Sequence, residues 1–169
     1  MSNISIYELI YNYKQKIYNT ISLFKSNIVV FDFDGTLTEF KYTENNLLPC
    51  KDDDLFEYSK KYNLYNNVHI LKTMQYILKE LDINNVYILT VSVDTLKAKK
   101  QKCILDNFNI KEQNIIQVSS ISEKINFLEN LYKEKQTEII FVEDTAKTLL
   151  IAEEQFSFIK GFHISSLIP

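Results

Sequence analysis

Cysteine is scarce in this sequence: there are two, Cys50 and Cys103, far apart and in no metal-ligand spacing. That excludes a disulfide scaffold and fits a reduced compartment. Glycine is equally scarce, at two residues in 169, so the place of each one carries information. No apolar run is long enough to span a bilayer. The opening MSNISIYELIYNYKQKIYNT has lysines and tyrosines where a signal peptide needs an unbroken apolar core. A cytoplasmic, soluble protein with no membrane partner is therefore expected. Basic charge is not in excess either. A net charge of -3 gives no sign of the basic face carried by proteins that coat nucleic acid. Internal repeats, low-complexity linkers and domain breaks are all missing.

What is present is an ordinary globular composition, 46% hydrophobic and 24% charged, in a length that suits a single domain over residues 1–169. Ile6, Leu9, Ile10, Tyr13, Ile17, Ile21 and Phe24 recur at helical spacing. They predict an extra N-terminal helix within residues 1–25, opened by a capping box of Ser5 and Glu8. IVVF then reads as a strand buried on both faces. Beyond it, segments alternate. Helix is expected over 68–81, 94–108, 122–135 and 146–155. Strand is expected over 85–90, 115–118 and 138–142, with a weak one over 158–162. Alternating strands and helices predict an α/β protein, a Rossmann-like three-layer sandwich with a parallel sheet. Residues 39–67 do not fit the alternation and read as a small insert after the first strand. Within it, Asp52, Asp53 and Asp54 read as a helix cap rather than metal ligands.

The stretch NIVVFDFDGTLTEF places Asp32 and Asp34 directly behind the buried strand. Acids are poor strand formers, so something other than folding is expected to need them. In parallel sheets ligands bind beyond the carboxyl ends of the strands, and residues two apart project to one side. Two carboxylates brought together call for a cation, and Mg2+ is the hard, oxygen-seeking candidate. Gly35 permits a tight turn there, and Thr36 and Thr38 add hydroxyls. Other strands end similarly, in Thr90 with Ser92 close behind, and in Glu143 and Asp144. Lys124 lies near the start of a helix that Ser120 and Glu123 are expected to cap. A cation there opposes the helix dipole, which makes sense if it faces phosphate or carboxylate groups. Acids, hydroxyls, one lysine and a divalent cation suit phosphoryl transfer.

DFDGTLT resembles the first motif of the haloacid dehalogenase superfamily of phosphohydrolases. YILT is similar to its second motif, Lys124 to its third and IIFVEDT to its fourth, so the resemblance spans nearly the whole chain after Asn27. It implies that Asp32 is the nucleophile and a metal ligand. Asp34 is then the general acid/base, with its backbone carbonyl on the metal. Thr90 and Lys124 hold the phosphate, with Ser92 and the Gly35 turn sharing that role. Asp144 completes the Mg2+ site, helped by Glu143. Thr148 stands where many members carry a further acid. The Glu-Asp pair resembles the phosphoglucomutase-like branch, which manages without that acid. Residues 39–67 are too short for a full helical cap, and cap-poor members have an open site.

The expected function is Mg2+-dependent hydrolysis of a phosphate monoester, small or macromolecular, through an aspartyl-phosphate. Two alternatives stay open: a non-catalytic phosphate-binding or regulatory module, and a polynucleotide end phosphatase using the basic stretch KAKKQK. That stretch, residues 97–102, reads first as a solvated helix face. His69 and His163 read as structural.

Overall fold

The computed structural model describes residues 6–39, 65 and 68–167. Helix α1, Ile6–Lys25, leads into β1, Ile28–Phe31. A two-stranded antiparallel sheet follows, β2 (Thr38–Glu39) with β3 (His69–Ile70). The rest alternates as the sequence predicts. It runs through α2 (Lys72–Lys79), β4 (Val86–Val91), α3 (Asp94–Asn107), β5 (Ile115–Val118) and α4 (Ile121–Lys135). It closes with β6 (Ile139–Glu143), α5 (Ala146–Gln155) and β7 (Ile159–His163).

The main sheet has the order β5-β4-β1-β6-β7, and every neighbouring pair is parallel. Alternation along each strand divides the core into two layers. Val29, Phe31, Val86, Ile88, Ile140 and Val142 face α1, α2 and α3. Ile28, Val30, Tyr87, Leu89, Ile139 and Phe141 face α4 and α5. The protein is thus an α/β Rossmann-like three-layer sandwich. The chain leaves β1 toward β4 on one side and returns past it to β6 on the other, so β1 sits at the topological switch point.

Three expectations shift. The helix expected over 68–81 begins only at Lys72, because Leu71 N donates to Leu37 O at 3.1 Å and the residues before it pair with β2. The weak strand is a full partner of β6, running to His163. Lys100, expected on a solvated face, is 2% exposed. Ser5, Cys50, the three aspartates at 52–54 and nearly all of the 39–67 insert lie outside the described residues. Among the described residues no helix is long and apolar enough to cross a membrane.

Candidate active site

The strand order puts β4, β1 and β6 side by side, so their carboxyl ends form one ledge. Asp32 lies one step beyond β1, with its N–H on Val142 O at 2.8 Å. Phe31 pairs with Val142, which brings Asp32 next to Glu143. Phe33 turns the other way into the core, fully buried, with its ring 6.1 Å from Tyr65 and 6.4 Å from Phe108. The alternation thus leaves both acids on the ledge and the phenylalanine beneath them.

The turn after Asp34 closes on itself. Leu37 N donates to Phe33 O at 2.9 Å, Gly35 N to Thr38 O at 3.0 Å, and the Thr38 hydroxyl to Phe33 O at 3.1 Å. Gly35 has a φ of +79°, a backbone that L side chains rarely adopt. A Cβ there would also run into the Asp144 carboxylate. Glycine thus serves the turn and leaves room for the Asp144 carboxylate.

Asp32 and Asp34 do not share one partner. Lys124 Nζ lies 2.7 Å from Asp32 Oδ1 and 2.7 Å from Glu143 Oε2. All three groups are buried. Asp34 instead meets Lys100, whose Nζ is 2.5 Å from Asp34 Oδ2, 3.0 Å from Thr90 Oγ1 and 2.7 Å from Val91 O. The Tyr65 hydroxyl donates to Asp34 at 3.2 Å, and its ring lies 5.6 Å from the Lys100 ammonium.

Asp32, Glu143 and Asp144 each bring a carboxylate oxygen within 4.8 Å of the others. Asp34 is not in that cluster. An all-oxygen set of this kind suits Mg2+. Four acids gather around two lysines, and the acids register the crowding. Burial pushes the Glu143 carboxyl up to about 8, with the Asp32 charge and a hydrogen bond to Asp144 adding and Lys124 opposing. Burial raises Asp144 as well. Burial also raises Asp34, which the Lys100 charge offsets only in part. Burial opposes the charge on Lys124, yet Asp32 and Glu143 outweigh it and hold the ammonium above its ordinary value.

Lys124 reaches the site because α4 starts beneath it. The Ser120 hydroxyl accepts from Glu123 N at 3.2 Å, while the Glu123 carboxylate turns back to Ser119 N at 2.9 Å and to the Ser119 hydroxyl at 2.6 Å. His163 braces the opposite edge: its Nε2–H donates to Asp144 O at 2.7 Å. Thr90 and Ser92 are buried at the end of β4, and Ser92 Oγ has no partner among the described residues. Thr148 is buried in the first turn of α5.

Two residues of the site were not anticipated, Lys100 and Tyr65. A signal for Lys100 exists: it shares a helix face with Leu96, Cys103 and Ile104, a lone lysine in an apolar stripe. Tyr65 has no comparable mark.

No protein-family model and no curated protein matches the sequence. In fold the chain is similar to the crystal structure of the N-terminal part of the protein BF1531 from Bacteroides fragilis, which contains a phosphatase domain and is complexed with Mg. The TM-score is 0.53 at 11% identity, covering 95% of this chain and 45% of that one. The likeness places the α/β architecture described here alongside a known phosphatase domain's fold.

Proposed function

We propose that the chain is a Mg2+-dependent phosphatase of the haloacid dehalogenase type, a single domain that hydrolyses phosphate monoesters through an aspartyl-phosphate on Asp32. The observation that carries this reading is the meeting of Asp32, Lys124, Glu143 and Asp144 at the ends of adjacent parallel strands. The fold shared with a Mg-complexed phosphatase domain supports it. Held by Asp32, Glu143 and Asp144, Mg2+ would offset the negative charge of the phosphoryl group.

A carboxylate oxygen of Asp32 attacks phosphorus, and the bond to the leaving oxygen breaks. Asp34, whose raised pKa favours its protonated form, gives its proton to that oxygen. In the second half Asp34 takes a proton from the water that attacks the aspartyl-phosphate. The bond between Asp32 and phosphorus breaks, inorganic phosphate leaves and the carboxylate is restored. Lys124 fixes the direction of Asp32 and places positive charge beside the reacting group. Thr90 and Ser92 offer hydroxyls to the phosphate oxygens.

Hydrolysis of a generic aryl phosphate tests this. Turnover is expected with Mg2+, and is expected to vanish with chelator and in Asp32→Asn. Turnover that survives Asp32→Asn would overturn the mechanism. Folded protein that binds Mg2+ and phosphate but turns over no phosphate ester would favour the non-catalytic module. The polynucleotide reading keeps its own test. Of its basic stretch Lys100 is buried, whereas Lys99 and Lys102 are exposed, and steep salt dependence of activity on oligonucleotides would favour it.

A further inference from the structure

Lys100 is 2% exposed, and a buried ammonium is tolerated only where acceptors surround it. Its three acceptors are Asp34 Oδ2, Thr90 Oγ1 and Val91 O. They use all three N–H groups of the ammonium, so Lys100 keeps no donor for a substrate. Its influence must pass through what it holds.

Thr90 is the informative partner. An ammonium only donates, so Thr90 Oγ1 accepts from Lys100, and the hydrogen of the hydroxyl turns elsewhere. Among the described residues that hydrogen meets no acceptor, although Thr90 is 1% exposed. Two more buried hydroxyls nearby in the fold are unpartnered. They are Ser92 Oγ at the end of β4 and Thr36 Oγ1 in the turn after β1. Buried hydroxyls with unused hydrogens are uncommon. Here they lie at the carboxyl ends of the two neighbouring parallel strands, β4 and β1, that lead into Thr90 and Asp32.

We propose that Lys100 is a positioning residue for phosphate binding: by making Thr90 Oγ1 its acceptor, it leaves the Thr90 hydroxyl proton to be donated to a phosphate oxygen. The proposal rests on the reading of this ledge as a phosphate site. It explains why the chain buries a lysine that cannot itself touch the substrate.

A double-mutant cycle tests it, with inorganic phosphate titrated calorimetrically into the full chain in the presence of Mg2+. Lys100→Met and Thr90→Val are each expected to weaken phosphate binding. The loss on Lys100→Met is expected to be about fivefold or more smaller in the Thr90→Val background, since interacting neighbours are non-additive. In Thr90→Ser, which keeps the hydroxyl, the full loss should return. Thermal melts check folding, and Lys100→Gln runs the same cycle if Lys100→Met does not fold. An equal loss in both Thr90 backgrounds overturns the proposal and leaves Lys100 as a through-space charge. Wild-type protein that binds phosphate with the expected coupling but hydrolyses no ester supports the proposal while the hydrolase reading fails. Wild-type protein that binds no phosphate overturns both.

Discussion

Asp32 and Asp34 stand two residues apart, yet each has its own lysine, Lys124 from α4 and Lys100 from α3. The separation matters for the proposed mechanism, which asks the two acids for different properties. Asp32 lies against the Lys124 ammonium beside Glu143, whereas Asp34 meets Lys100 and burial raises its pKa. Gly35 decides the geometry between them. In Gly35→Ala the backbone strain at positive φ is expected to cost about 1–2 kcal/mol. The new Cβ would also displace the Asp144 carboxylate. Mg2+ affinity, measured by calorimetry, should therefore fall more than stability does. Unchanged Mg2+ affinity in a folded Gly35→Ala protein would show that Asp144 does not need that space.

The elements act as mounts for these side chains. Helix α4 begins with Ser120 as its cap and carries Lys124 one turn in, so the cap and the acidic ledge are mechanically joined. Losing an N-cap hydroxyl costs about 1 kcal/mol. Ser120→Ala is therefore expected to lower Tm by about 2–4 °C for a chain of this size. A scanning calorimeter reads that directly, and no change would mean that the Glu123–Ser119 bonds cap the helix alone. Helix α1 covers one face of the sheet through Ile17, Ile21 and Phe24, the last edge-on to Phe31 and Phe162 at 6.1 Å and 5.4 Å. The N-terminal helix is thus part of the core. Strands β2 and β3 bring the two flanks of the insert together at Thr38–Ile70 and Glu39–His69. Tyr65, near the end of that insert, is consequently within reach of Asp34.

Across the whole molecule the net charge is modest, but the ledge concentrates acids that folding buries together. A raised carboxyl binds its proton more tightly folded than unfolded. Its contribution is full below the unfolded value and is lost as pH rises through the folded one. For Glu143 that window runs from the ordinary 4.5 to about 8, and the raised Asp34 and Asp144 act in the same direction. Metal-free protein should lose stability across that window. Mg2+ favours the ionised acids and displaces their protons. The gain in Tm on adding Mg2+ is thus expected to grow between pH 5.5 and pH 8. Melts with and without Mg2+ measure it. A gain that is flat or shrinks with pH would remove the acid cluster as the binding site.

Much of this was legible in order along the chain. Short β-branched runs marked the buried strands, helical spacing marked their crossovers, and that alternation alone implied a parallel sheet. A parallel sheet aligns the carboxyl ends of its strands, so Asp32, Thr90, Glu143 and Asp144 were identifiable as neighbours before any contact was known. Tertiary structure decided the partners. The apolar stripe of Leu96, Cys103 and Ile104 singles out Lys100 within KAKKQK, but that it meets Asp34 and Thr90 depends on how α3 lies against β4. The contact of Tyr65 with Asp34 depends on where an insert returns, which no period encodes. Two acids two residues apart pointed to one shared cation in the sequence. The packed helices answered with two lysines as well, because gathering four carboxylates on one ledge, two of them buried, demands positive charge from every side that can supply it.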